Sequence, residues 1–387
     1  MDEQKRYKTL YFTRNFGEFI FYNYLALYLK NLNYSGAMIG TLLSFSPLLL
    51  VLALPFWGKV ENRIPRRFIL VIAGSLTLFM EYFFLFPTPF IVVTAITVIF
   101  SFVRAPMYPS IDSMATLYAI EENIEFSSLR SWGSLGYLLA VFMGGIFFDK
   151  IGFYWFAIIS TTGLGAMIYT AFRIKPLHLD KDKHEIPDRS QGNLRQLFKN
   201  PFFISFIIAQ ILCFAPLNIN TDFDLLYLSD RGYPAYYYGF YTVGRVGVEI
   251  ICIKLISKVK LSYKTLFAAV PVLLLAHSVT FFLNAPVLCL LAIMLTSGTA
   301  VGIILFLNNK YIGQIVRPKN ITLATYVTVI VQNIFIALYT FMAGFIMDKW
   351  GTNYIYLCTA VFFIISFLFI VFFIKKTGKY TIVKYYD

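Results

Sequence analysis

The stretch FSSLRSWGSLGY (126–137) sets an arginine at the head of an apolar run. A guanidinium on a lipid-embedded helix costs about 2.5–3.5 kcal/mol on insertion scales, so Arg130 needs a partner and defaults to a functional reading. The turn before it centres near residue 121, and Asp112 lies as far back along the preceding span as Arg130 lies forward. Equal distances along antiparallel helices mean equal depth, about 13 Å at 1.5 Å per residue. A carboxylate and a guanidinium can therefore neutralise each other there. Trp132 and Tyr137 add a flat apolar face and a hydroxyl, a set that suits a ring-bearing ligand. The same pair also reads as a staple of the helix hairpin. Gly133 and Gly136 read as close-packing positions. Arg14–Glu18 and Arg245–Glu249 are each four residues apart on one helix face. Each pair either neutralises itself locally or, with its carboxylate near mid-depth, switches between an ion pair and a protonated form, which is chemistry that couples proton entry to movement of a solute. Glu81 and His277 read as structural or interfacial. Asp222 and Asp224 read as groups near the outer end of their span, hydrated in a wet vestibule, with proton entry as their further reading.

The elements that must position these groups follow from composition. The 387 residues are 58% hydrophobic and 14% charged, with a mean hydropathy of +0.69. Soluble domains do not reach such values, so the chain reads as an integral membrane protein. Segments long enough to cross about 30 Å of hydrocarbon run at about 9–29, 36–56, 68–86, 89–118, 127–148, 153–172, 201–228, 235–257, 265–283, 286–309, 320–347 and 353–374, twelve in all. The polar stretch between the sixth and seventh predicts a domain plan of a six-helix bundle over 1–174, a linker over 175–200 and a second six-helix bundle with a short tail over 201–387.

Lys and Arg crowd the N-terminus (Lys5, Arg6, Lys8), the second gap (Lys59, Arg63, Arg66, Arg67), the linker, Lys258–Lys264, Lys310–Lys319 and the tail. The alternate gaps hold only Lys30, Lys150, Arg231 and Lys349. The positive-inside rule then places both termini in the cytoplasm of a multi-pass cell-membrane protein. Topology accounts for the net charge of +13, so no nucleic-acid partner is expected. The four cysteines are scattered within spans and read as apolar packing residues; neither a metal nor another cofactor is expected.

The two halves repeat. LYLKNLNYSGAMIG ends at Gly40 and LYLSDRGYPAYYYG at Gly239; FMGGIFFDKIG ends at Gly152 and FMAGFIMDKWG at Gly351. The offset is 239 − 40 = 199 and 351 − 152 = 199. Three matches in one register, counting Lys59-Val60 against Lys258-Val259, exclude coincidence, and an even number of spans per copy makes the repeat parallel. Such architecture favours a transporter over a channel or a membrane-bound enzyme. No HExxH, P-loop or GxSxG motif supports an enzyme.

These residues resemble the major facilitator superfamily over essentially the whole chain, within the branch that holds lactose permease, phenylpropionate permeases and nucleoside:proton symporters. GKVENRIPRR (58–67) is similar to the superfamily's gating loop, which implies gating roles for Gly58, Arg63, Arg66 and Arg67; Asn62 and Pro65 depart from the pattern. EFSSLRSWGSLGY is similar to the stretch in which an arginine pairs with a carboxylate one helix back and both bind sugar. That implies substrate roles for Arg130 and Asp112, with Tyr137 in the stacking position. GRVGVEIICIKLISK puts Glu249 at the acidic position of the eighth span, while the proton-handling His and Glu of the tenth span become Ser297 and Ala300. The proline on the fifth span that marks drug:proton antiporters is absent.

The sequence therefore predicts an all-α, twelve-helix secondary transporter, working as a monomer in membrane lipid. It imports a small polar or ring-bearing solute, such as a sugar, nucleoside or aromatic acid, together with protons. The substrate site would comprise Asp112, Arg130, Trp132, Tyr137 and Asn23; proton coupling would use Glu249 with Arg245, then Glu18 with Arg14. An efflux antiporter or a non-transporting sensor would share the fold.

Overall fold

Apolar runs punctuated by Gly, Pro and Asn turns fold into fourteen helices in the computed structural model, which describes residues 2–86, 89–175, 194–256, 263–285, 287–317 and 320–377. They are α1 (Glu3–Asn31), α2 (Gly36–Glu61), α3 (Arg66–Phe83), α4 (Phe90–Arg104), α5 (Met107–Glu121), α6 (Phe126–Ile151), α7 (Tyr154–Arg173), the short α8 (Leu194–Lys199), α9 (Pro201–Asp230), α10 (Ala235–Ile256), α11 (Tyr263–Phe282), α12 (Val287–Ile315), α13 (Ile321–Trp350) and α14 (Thr352–Thr377). With α4 and α5 as two parts of one span and the six-residue α8 set aside, these make the twelve crossings of an all-α membrane fold. Nine described segments are apolar enough to qualify on hydropathy alone; α1, α3 and α10 are not among them, and these carry Arg14 and Glu18, Glu81, and Arg245 and Glu249. Most of the linker (176–193), Lys258, Lys260, Lys319 and the tail beyond Thr377 lie outside the described residues.

The chain divides into two compact units, one of Met1–Ile186 with Leu228–Phe240, the other of Pro187–Tyr227 with Tyr241–Asp387. In the first, α1 is central: Tyr7, Leu10 and Tyr11 pack with Leu70 and Ala73 of α3, Met107 and Ile111 of α5, Leu129 of α6, and Leu164 and Met167 of α7. The core of the second gathers Cys213 and Leu217 of α9, Leu266 and Leu274 of α11, Ile303 and Leu307 of α12, and Phe363 of α14.

The fourth span, read from sequence as one helix, is broken. Pro106 lacks the N–H that would bond the carbonyl of Phe102, so α4 stops at Arg104 and α5 restarts at Met107. The orphaned carbonyl is not left unsatisfied: the Trp57 indole of α2 donates to it at 3.0 Å.

The repeat reappears in backbone geometry. Asn33 (φ 64°) and Gly232 (φ 73°) take positive φ at equivalent helix ends, as do Gly152 (φ 78°) and Gly351 (φ 96°), each pair separated by the sequence offset. Asparagine and glycine are the residues that tolerate this conformation at a helix terminus. Within the first unit, Asp149 at the end of α6 accepts from the backbone N–H groups of Ala235 and Tyr236 at 3.0 and 3.2 Å, so a carboxylate caps the N-terminus of α10. Lys30 pairs with Asp230 in the same region.

Helix α1 meets α7 and α6 through glycines. A Cβ at Gly17 would lie 2.6 Å from the Leu164 backbone nitrogen and 2.9 Å from the Gly163 carbonyl carbon; one at Gly136 would overlap the Phe12 carbonyl. Backbone atoms cannot swing aside as a side chain can. Gly17→Ala is therefore expected to lower the melting temperature, by about 1–3 kcal/mol of overpacking. Gly165→Ala on α7, where a Cβ meets nothing within 4 Å, is the matched control and is expected to be neutral or stabilising. Equal melting curves for the two variants would refute the close crossing.

Candidate functional site

Helical spacing lines up a polar stripe in the first unit. On α1, Tyr11, Arg14, Glu18 and Tyr22 recur every three or four residues; Arg104, Tyr108 and Asp112 are four apart across the α4–α5 break; Arg130 and Tyr137 of α6 are two turns apart. These residues converge. Tyr11 donates to Asp112 Oδ1 at 2.6 Å, and Arg130 Nη1 lies 3.9 Å from Asp112 Oδ2. Arg130 Nε donates to the Tyr108 hydroxyl at 3.2 Å.

Deeper along α1, Glu18 is buried and ion-paired to Arg14, and its other oxygen lies 3.2 Å from Arg104 Nη1. One carboxylate thus serves two guanidiniums. Arg104 Nη2 also donates to Ser46 Oγ at 2.6 Å. Aromatic faces take up the remaining cationic surface: Arg104 lies 3.8 Å from the Tyr22 ring centre, and Arg14 lies 4.9 Å from that of Tyr108. Arg14 donates to Asn15 Oδ1 at 2.8 Å while Asn15 Nδ2 donates to the Gly133 carbonyl at 2.8 Å, which fixes α6 against α1.

The Asp112–Arg130 pair differs from the Glu18 cluster in being open. Arg130 is half-exposed and its contact with Asp112 is long, whereas Glu18 is enclosed. Tyr137 sits edge-on to Phe19, ring centres 4.9 Å apart, and so continues the stripe. Asn23 has a buried Nδ2 with no partner among the described residues, an unused donor. Trp132 stands apart: it is 41% exposed, and two residues on from Arg130 it points about 200° round the helix.

In the second unit Tyr241, Arg245 and Glu249 are four apart on one face of α10. Arg245 donates to Thr221 Oγ1 of α9 at 3.2 Å, and Glu249 is half-buried one turn beyond it. Asp224 departs from the hydrated position read from sequence. It is 2% exposed because α9 continues to Asp230, well past it, and the Tyr356 hydroxyl of α14 donates to it at 2.7 Å. His277 of α11 lies 3.4 Å from the same carboxylate oxygen. Glu81 of α3 is fully buried beside Ser160 of α7.

Sequence reasoning missed Tyr11, Tyr22 and Tyr108 as members of the stripe. The signal was present as their three- and four-residue spacing to charged neighbours, but 27 tyrosines dilute it.

Comparison with known proteins places this arrangement. The model of the MFS_1 like family matches residues 5–284. The chain belongs to that family. It is 23% identical over 374 residues to the uncharacterized transporter YwbF of Bacillus subtilis (strain 168), covering 92% of this chain and 90% of the relative. To the maltose permease of Geobacillus stearothermophilus it is 22% identical over 368 residues, covering 91% and 90%. The crystal structure of the nucleoside transporter NupG superposes with a TM-score of 0.80 at 16% identity, covering 98% of this chain and 100% of that one. The protein is a multi-pass membrane transporter of the major facilitator superfamily.

As a family member, the chain carries an altered loop between α2 and α3. Glu61, one residue before Asn62, lies 3.4 Å from Arg66 Nε and accepts from Ser110 Oγ of α5 at 2.9 Å. Arg67 donates to the Ile174 carbonyl at 3.0 Å and Arg6 to the Arg173 carbonyl at 2.8 Å, so two guanidiniums cap the C-terminus of α7. Arg63 is exposed at the turn, and Gly58 has open space where a side chain would project.

Proposed function

We propose that this transporter imports a small hydroxyl- and ring-bearing solute together with protons, by alternating access. The observation that supports this reading is the contrast between two charge clusters on one stripe. Glu18 with Arg14 and Arg104 is enclosed and doubly ion-paired, whereas Asp112 and Arg130 meet loosely at 3.9 Å and stay accessible. An accessible, loosely closed pair can exchange its mutual contact for bonds to a hydroxylated guest at low cost, because a half-exposed ion pair is worth only about 0–1 kcal/mol. Arg130 and Asp112 hold the solute, Tyr137 and Phe19 face its ring, and Asn23 donates from α1. Trp132 supports the far side of α6. Among solute classes the sugars lead, since a maltose permease is among the relatives. Glu249, half-buried beside Arg245, is the first coupling carboxylate. Gly58, Arg63, Arg66 and Arg67 form the gating loop. Both termini face the cytoplasm and the working unit is one chain in the membrane.

The test is uptake of labelled maltose, uridine and 3-phenylpropionate into proteoliposomes with and without an acid-outside gradient. One class is expected to accumulate under the gradient in the wild type and only to equilibrate in Glu249→Gln. Uptake indifferent to the gradient removes the proton.

A further inference from the structure

The first unit has a stripe of carboxylates paired with guanidiniums; the second has a buried group of a different kind. Asp224 and His277 are 2% and 1% exposed, on α9 and α11. Tyr356 of α14 donates to Asp224 Oδ1 at 2.7 Å, and His277 Nε2 lies 3.4 Å from that oxygen. On the other edge of the imidazole, Nδ1 is 3.3 Å from the Tyr241 hydroxyl of α10, which is also 3.5 Å from Ser297 Oγ of α12. Phe281 stacks on the imidazole with ring centres 4.5 Å apart. Among the described residues, the charged groups that act on Tyr241 are Asp224 itself and Arg245, one turn away on the same face of α10.

We propose that Asp224 and His277 form a proton-binding site of the transporter, linked through Tyr241 to the Arg245 and Glu249 face of α10. The Tyr241 side of the imidazole can be satisfied in two states. With a neutral imidazole the Tyr241 hydroxyl donates to Nδ1, while Nε2 lies 3.4 Å from Asp224 Oδ1 with no hydrogen bond formed. When a proton arrives, Nδ1 becomes a donor, the Tyr241 oxygen accepts, and its hydrogen turns toward Ser297. The tyrosine is a rotor that fits either state. Charge bookkeeping gives the event its size: the empty pair carries −1 and the loaded pair 0, so one proton converts a buried anion into an internal ion pair. A buried carboxylate is costly without a counter-charge, so the two states differ in the packing they favour among α9, α10, α11 and α14. This is the physical requirement for coupling. Ser297 in this arrangement is the partner of the switch rather than its seat.

The assignment rests on the proton-coupled reading above but is tested separately from it. The protein has three histidines, and His178 and His184 lie in the linker. In a His178→Asn/His184→Asn background, nitrogen NMR of labelled histidine reports His277 alone. Across a pH series the imidazole is expected to gain its second proton, read from its nitrogen shifts. Asp224→Asn should move that midpoint by at least about one pH unit, a tenfold change in proton affinity. If that variant does not fold, Tyr356→Phe, which removes the hydroxyl donated to Asp224, is expected to move it in its place. An imidazole locked in one state across the series, or a midpoint unmoved by either variant, overturns the site. The transport arm uses whichever of maltose, uridine or 3-phenylpropionate is taken up. His277→Asn should retain equilibrium exchange and lose gradient-driven accumulation, and full accumulation overturns the coupling role. A titrating His277 in a protein whose uptake ignores the gradient leaves the proton site standing and defeats only the symport reading.

Discussion

Glu18→Ala is expected to cost about 3–5 kcal/mol of stability, enough to abolish a folded, monodisperse protein in mild detergent. The carboxylate is buried and is the shared counter-ion of Arg14 and Arg104, so its removal leaves two guanidiniums facing each other. Arg104 would keep Ser46 and the Tyr22 ring, and Arg14 would keep Asn15 and the Tyr108 ring, but neutral partners do not offset two desolvated cations. The double variant Glu18→Ala/Arg104→Met should recover part of the loss, because one of the stranded charges is gone. Melting curves in detergent for the two single variants and the double variant close the cycle. A Glu18→Ala protein that melts with the wild type would mean that water or a bound anion already shields the cluster.

The second large effect falls on binding and leaves the fold intact. Asp112→Asn and Arg130→Lys should each weaken solute binding about 10- to 150-fold, the range of a charge-assisted hydrogen bond worth about 1.5–3 kcal/mol. Lysine keeps the charge of Arg130 but loses the Nε that donates to Tyr108 and the planar fork that grips a diol or carboxylate. Because the pair is partly exposed and long, both variants should melt within a few degrees of the wild type. Isothermal titration with the transported solute, run beside the melting curves, separates the two contributions. Binding unchanged in both variants would remove Asp112 and Arg130 from the substrate site, whatever the solute is.

The contrast between these outcomes marks what the sequence can disclose. The twelve crossings are legible because hydrocarbon demands long apolar segments, and the duplication because its turn residues, Asn33 with Gly232 and Gly152 with Gly351, recur at one spacing. The approach of Asp112 to Arg130 is also legible, since a short turn between neighbouring helices fixes their relative depth. The approach of Arg104 to Glu18 is not: it joins the fourth span to the first across two intervening spans, and nothing local sets that distance. The four-residue spacing by itself pairs Glu18 with Arg14 alone. The burial of Asp224 was hidden for a related reason. Its distance from the end of a span is counted from where the helix stops, and α9 runs on to Asp230. Tyrosines that complete a site cannot be told by type from tyrosines that face lipid; their spacing to the charged positions distinguishes them only once the helices are paired.

The indole of Trp57, bound to the carbonyl that Pro106 orphans, lies immediately before Gly58, where the chain runs toward the turn between α2 and α3. Arg104 stands on one side of that broken carbonyl's helix junction, Tyr108 and Asp112 on the other. A tilt at the loop end of α2 would therefore pull on the joint between the enclosed half of the stripe at Glu18 and the open half at Asp112 and Arg130, making the tryptophan a tie-rod between surface and interior.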